Sequence, residues 1–372
     1  MTTTLTMPCI VLTPMGNLRP DFRSLANRSQ TDRHQAKSLW MKSLELLENA
    51  DGVDLTRLAH FLNQLATIYE ERGDFAKTER LFQRLKRLVE RTGVDPKMES
   101  LRSVVLRRLG SLYQAQGRYQ EAESLLKRAL NSARLIFGRE SEEAADVKHH
   151  LATLHQERGE FDKAAKHYWR ALSIYQQSPE AESARTAGVY HDLSSLERKR
   201  GNPAEAEELA GQSLEIRMRV QGLTHSTVAA EMVWLADLKT ERKKFDEAER
   251  LYRGAIGIIE SAHDEDHDEI ANTLAKLAAL CNAQDRIAEA ERCLLRAVAI
   301  KEKLFGIENL EAAQLRNELA ELYERESRHE EAARLLHTAR TVIDKATGPL
   351  DQFVCVYGKI TTGDTGITGM EI

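Results

Sequence analysis

Cysteine, proline and aromatic side chains are scarce in this 372-residue chain, and each scarcity removes a class of protein. Its four cysteines, Cys9, Cys281, Cys293 and Cys355, contain no Cys-x-x-Cys pair and are too sparse for a disulfide framework, which fits a reducing compartment. Seven prolines and 6 % aromatics, beside abundant Ala, Leu, Glu and Arg, favour helix over strand. Neither sign of charge dominates: 53 Lys and Arg stand against 58 Asp and Glu, a formal charge of -5, without the basic excess of a nucleic-acid binder. No apolar run approaches the roughly 20 residues a membrane-spanning helix needs. The opening "MTTTLTMPCIVLTP" has no basic residue ahead of its apolar letters and is broken by Thr13 and Pro14, so it does not read as a signal peptide. A cytoplasmic protein with no membrane or nucleic-acid partner is expected.

Catalytic signatures are missing as well. Neither Gly-x-Ser-x-Gly nor His-Glu-x-x-His occurs, and "GKIT" at Gly358 to Thr361 lacks the upstream glycine of a phosphate loop. "HDEDHDE" (His263 to Glu269) alternates acids as a calcium loop does, but Glu269 stands where glycine is needed and Ala275 where a bidentate Glu is needed, so it reads better as a helix-capping linker. His149, His150 and His155 have no evident third ligand for a metal. Paired acids such as Glu142 with Glu143, or Glu207 with Glu208, are expected on exposed helical faces, and Cys281 is expected to be a buried thiol. The chain is expected to be no enzyme and to carry no cofactor.

Self-similarity is what remains. Leucine marks seven copies of one pattern, at Leu65, Leu109, Leu151, Leu193, Leu235, Leu277 and Leu319, the first step 44 residues and the other five 42. A small residue follows each (Ala66, Gly110, Ala152, Ser194, Ala236, Ala278, Ala320), and an Ile or Leu comes three residues after each leucine, which draws one apolar stripe on a helix. Gly73, Gly117, Gly159 and Gly201 then sit where a helix end wants a left-handed residue; Lys243, Asp285 and Ser327 replace them in the last three copies, at a cost of up to about 1 kcal/mol each, so the C-terminal half is expected to be the looser. A second helix follows, with alanine at 122, 164, 206, 248, 290 and 332 and a bulky residue four later in most copies.

Small, large and glycine positions in this order resemble the tetratricopeptide repeat over roughly residues 57–345. The period of 42 and linkers such as "GLTHSTVA" (Gly222 to Ala229) resemble the kinesin light chain subclass, although no heptad coiled coil precedes Arg57 and the paired asparagines of that subclass survive only at Asn63 and Asn317. The resemblance implies an all-α fold, a right-handed superhelical solenoid of about seven helical hairpins whose first helices line a concave groove. Around it, residues 1–23 read as a leader, 24–56 as a degenerate N-terminal cap with Ala36 and Trp40 in phase, and 346–372 as a Gly/Thr-rich tail; "FVCVYGKI" (Phe353 to Ile360) could cover Leu335, Leu336, Val342 and Ile343 or lie in the groove, with a disordered tail as the alternative.

Groove-lining positions follow from the register. Asn63, Arg107, His149, His191 and Asn317 lead the ladder, Arg108, His150, Trp234 and Lys276 lie one residue on, and Arg198 and Lys199 close the fourth copy. The expected function is a non-catalytic scaffold that holds a peptide or helix of a partner protein. Its basic central cluster suits an acidic segment, with Trp234 as aromatic anchor. A peptide-responsive regulatory sensor and an auxiliary subunit of an enzyme complex are the alternatives.

Overall fold

The computed structural model describes residues 62, 63, 66, 69, 74–91, 96–179, 181–262 and 267–347. The expected leader, the cap and nearly all of the tail lie outside the described residues. Every element of regular structure among those described is an α-helix, thirteen in all: α1 Phe75–Arg91, α2 Pro96–Ala115, α3 Tyr119–Phe137, α4 Glu142–Glu157, α5 Phe161–Gln176, α6 Ala184–Lys199, α7 Pro203–Gln221, α8 Ser226–Glu241, α9 Phe245–Ala262, α10 Asp268–Ala283, α11 Ile287–Phe305, α12 Leu310–Arg325 and α13 His329–Thr347. Consecutive helices pack as hairpins (α2 with α3, α4 with α5, and so on to α12 with α13), and each second helix packs on the first helix of the next hairpin within its unit. This is the sequential packing of a tetratricopeptide-type solenoid. The chain forms two compact units, residues 1–139 and 140–372.

The same turn closes all six hairpins. The residue after each left-handed position sends its N–H back to a carbonyl five residues earlier: Arg118 to Tyr113, Glu160 to His155, Asn202 to Glu197, Lys244 to Lys239, Arg286 to Cys281 and Arg328 to Tyr323, at 2.8–2.9 Å. Gly117, Gly159 and Gly201 adopt positive φ there, and so do Lys243, Asp285 and Ser327, at φ 59, 61 and 59°. The turn is therefore kept without glycine, and the strain expected from the sequence is present.

The first helices of the second unit also begin alike. At 42-residue steps Ser141, Ser183, His225, His267 and Asn309 each accept a backbone N–H from the first turn of α4, α6, α8, α10 and α12. The capping reading of the "HDEDHDE" linker holds at His267, whose Nδ1 accepts from the Glu269 N–H.

Alanine at 122, 164, 206, 248, 290 and 332 is fully buried, which lets the paired helices approach closely, and Phe82, Leu126, Tyr168, Tyr252 and Leu294 fill the space beside it. In the last copy Leu336 is largely exposed, whereas Val342 is buried against Ala313 and Ala339, so only part of the apolar face expected on the final helix is open. One expectation fails. Glu207 is buried, not solvated, because Lys239 and Lys244 each reach its Oε1 at 2.8 Å and Arg242 pairs with its other oxygen. Burial opposes the charge, but three cationic donors outweigh it and bring the carboxyl down to about 2. Glu249 and Glu291 repeat the device one and two repeats on, held by Arg286 and Arg328 of the following turns. These acids clip each second helix to the hairpin that follows.

Candidate functional site

Residues two before the repeat leucine are half-buried in all seven copies: Asn63, Arg107, His149, His191, Val233, Ala275 and Asn317. Packing fixes the leucine inward, so this position looks outward at the edge of the helix–helix seam. Arg107 and Arg108 belong to α2 in the first unit, where the Arg108 guanidinium lies over the Phe82 ring at 5.8 Å. Asn63 falls in that unit too.

In the second unit the expected site residues of α4, α6 and α8 come together. The His149 ring stands 6.1 Å from His150 and 5.7 Å from Tyr168, and its Nε2 meets Asp192 of α6. His191, the next rung, packs its ring 5.3 Å from Trp234 of α8, and the Arg198 guanidinium lies over the same indole at 5.1 Å. Trp234 is held in place at its polar end: Nε1 donates to Ser194 Oγ at 2.9 Å, and that hydroxyl donates to the Ala206 carbonyl at 2.8 Å. Farther along, Lys276 of α10 reaches Asp237 Oδ2 at 2.6 Å, and the Tyr252 hydroxyl donates to Oδ1 of the same acid. Lys199 is exposed at the end of α6, and Asn317 is half-buried on α12 with Glu318 and Glu321 nearby in its exposed face. Burial and the charge of Glu321 push the Glu318 carboxyl up.

The basic cluster is answered from within the chain. His149 pairs with Asp192, His191 with Glu231, Arg198 with Glu241 and Lys276 with Asp237, each acid lying on the neighbouring first helix. Spacing in the sequence places these cations on one face; Asp192, Asp237 and Glu241 lie on that face too, one repeat away, whereas Glu231 is buried beneath it. Sequence reasoning missed Glu231 and Arg217 altogether. The signal was available at Glu231, which stands in register with Val105, Val147, Val189 and Leu315 of other copies.

No group of three or more His, Cys, Asp or Glu among the described residues could hold a metal ion. Cys281 is buried, and that burial pushes its thiol up to about 11, where it stays protonated and unreactive. Among the described residues no helix is long and apolar enough to cross a membrane.

The model of the tetratricopeptide repeat matches residues 101–177, 143–219, 226–303 and 269–345, well over half of the chain. The chain belongs to the tetratricopeptide repeat family. Members of this family are scaffolds, generally without catalysis of their own, that mediate protein–protein interactions. Among solved structures, BtubC (BKLC) from P. vanneervenii is similar at 23 % identity over 63 % of this chain and 93 % of its own, with a TM-score of 0.53. A chain of nearly identical TPR-like repeats from Podospora anserina, named for kinesin light chain, is 23 % identical over 56 % of this chain and 99 % of its own, with a TM-score of 0.50. A Rap protein complexed with Competence and Sporulation Factor is 15 % identical over 81 % of this chain and 78 % of its own, with a TM-score of 0.51. These likenesses establish the fold, and two of the three are with kinesin-light-chain-like proteins. No curated protein matches the sequence.

Proposed function

We propose that the first-helix face of the second unit is a recognition surface, and that this tetratricopeptide protein is a non-catalytic scaffold binding an extended segment or a helix of a partner protein there. One observation carries the reading: His149, His150, His191, Arg198 and Trp234, which share no role in the core stripe, gather from three successive repeats on a partly exposed face, with His149, His191, Arg198 and Trp234 each held by a hydrogen bond to a neighbouring first helix. A patch of rings held in place before binding loses little side-chain entropy when a partner arrives. The Rap protein solved with Competence and Sporulation Factor supports the idea that hairpin arrays of this kind accommodate a bound factor.

Charge enters differently from the sequence expectation. A strongly acidic segment would have to compete with Asp192 and Glu241 for His149 and Arg198, so shape and the indole anchor contribute more than net attraction. Sparse cysteines without a Cys-x-x-Cys pair support a cytoplasmic setting. The test is affinity capture from native lysate with mass spectrometry, comparing the parent with Trp234→Ala combined with Lys199→Glu, and with Trp169→Ala, which removes an exposed indole from second helix α5. Loss of the same proteins from the first variant only is expected. Equal capture by all three would remove the proposal.

A further inference from the structure

Glu231 stands where the fold asks for an apolar side chain. At 42-residue steps this core position reads Val105, Val147, Val189, Glu231, Thr273 and Leu315, all buried, and Glu231 is 3 % exposed. A carboxylate there loses hydration that valine never had, so something must compensate. Two side chains from two other helices do so. Arg217 of α7 brings Nε to 3.2 Å from Oε2, and His191 of α6 brings Nδ1 to 3.0 Å from the same oxygen. Arg217 stands in a register that elsewhere holds Ala133, Tyr175, Ile259, Lys301 and Ile343; the other cation, Lys301, is answered by Asp268 and Glu311 and not by the Glu231 position. A buried ion pair of this kind is rarely more stable than the hydrophobic pair it replaces, so core stability does not explain its presence at a single interface.

Its geometry does. We propose that Glu231, backed by Arg217, is a positioning residue that holds His191 charged against Trp234, so that the middle of the recognition face offers a proton-dependent hydrogen-bond donor to an acceptor group, a carboxylate or main-chain carbonyl, of the partner segment. With Nδ1 committed to Glu231, the donor left for a partner is Nε2, which no hydrogen-bond partner meets among the described residues. The His191 side chain keeps about a third of its surface open, with the ring against the indole.

The charges facing this imidazole come from every neighbouring element. Burial works against its proton, the Glu231 hydrogen bond and charge from α8 work for it, Asp192 on its own helix adds to that, and Arg217 from α7 opposes it; the balance lies above the ordinary value of 6.5. His149 of α4 takes up Asp192, which limits what that acid adds, and Arg198 of α6 lies 5.1 Å from the centroid of the same indole. Arg217 thus has two effects of opposite sense. It makes Glu231 tolerable in the core and it moderates the proton affinity of His191.

The role of the face rests on the proposed function, but the device itself is read without any partner. Full-length protein carrying Trp40→Phe and Trp169→Phe leaves Trp234 as its single indole, and a charged imidazole packed against an indole quenches its fluorescence. Titration from about pH 5 to 9 is expected to show emission rising as His191 loses its proton, with a midpoint above 6.5. Glu231→Gln lowers that midpoint, Arg217→Met raises it and His191→Phe abolishes the transition. Glu231→Val with Arg217→Ile, the residues of the Val189 and Ile259 registers, keeps the fold and also lowers the midpoint, which covers the case of an unstable single variant. A midpoint unmoved by Glu231→Gln and by the double variant, or moved in the same direction by Glu231→Gln and Arg217→Met, overturns the proposal. Such a failure leaves the capture experiment untouched, and failed capture leaves this titration untouched.

Discussion

Replacing the three non-glycine turn residues with glycine separates backbone strain from side-chain contacts. Lys243, Asp285 and Ser327 sit at φ 59, 61 and 59°, where a Cβ crowds the backbone at about 1–2 kcal/mol per residue. Glycine removes that strain but gives back about 0.4–1 kcal/mol through the extra freedom of the unfolded chain. Lys243 and Ser327 are exposed and their side chains engage no partner among the described residues, so each glycine substitution should stabilise by about 0.5–1 kcal/mol. Asp285 differs on two counts. Aspartate tolerates the left-handed region better than most residues, and its carboxylate meets Arg325 at 2.8 Å, a bond that glycine would forfeit. Asp285→Gly should therefore be close to neutral. Because stacked hairpins can unfold in parts, the assay is urea denaturation followed by circular dichroism, with hydrogen exchange of the altered hairpin as a local check. An Asp285→Gly gain equal to that of Lys243→Gly, or a loss of stability in Lys243→Gly, would refute the reasoning.

Two further perturbations act on the packing. Glu207→Gln strips the buried anion from Lys239, Arg242 and Lys244 and should cost about 3 kcal/mol, read as a lower urea midpoint at neutral pH. Since the Glu207 carboxyl is held near 2, below its usual 4.5, its stabilisation is complete above 4.5 and is lost as pH falls towards 2; the gap between parent and Glu207→Gln should close over that window in an acid titration. Gly110→Ala would match the alanine of five other copies, yet its Cβ would stand 2.9 Å from Leu126 Cγ and 3.4 Å from the Ala122 carbonyl oxygen. A net loss of about 1 kcal/mol in thermal unfolding is expected from this overpacking, and a gain in melting temperature would contradict the packing of α2 against α3.

The fold was legible because a local rule is repeated. Leu151 and its counterparts, the following small residue and the turn glycine each answer to one helix or one turn, so spacing alone placed hairpins, turns and outward ladder. Even Lys243, Asp285 and Ser327 were readable, since the neighbouring copies fix the conformation those residues have to adopt. What stayed hidden depends on pairs far apart in sequence. Glu207 read as a solvated surface acid because the three cations that bury it lie 32 to 37 residues away. Arg198 and Lys276 read as open charges because Glu241 and Asp237 are 43 and 39 residues distant. Glu231 could have been found by comparing each core register across copies, where a single carboxylate among valines stands out, but only the structure names His191 and Arg217 as what it serves.

The central claim, that recognition belongs to the first-helix face of the second unit, is tested most directly by placing a photo-crosslinking amino acid at single positions of the full chain. Lys199 is exposed at the end of α6, the helix that carries His191 and Arg198 against Trp234, whereas Arg250 on second helix α9 is comparably exposed. Illumination in native lysate, with the cross-linked peptides identified by mass spectrometry, should join a partner segment to position 199 and leave position 250 bare, the adduct disappearing when Trp234→Ala is added. A partner joined at 250 and absent at 199, or an adduct at 199 indifferent to Trp234, would contradict the account.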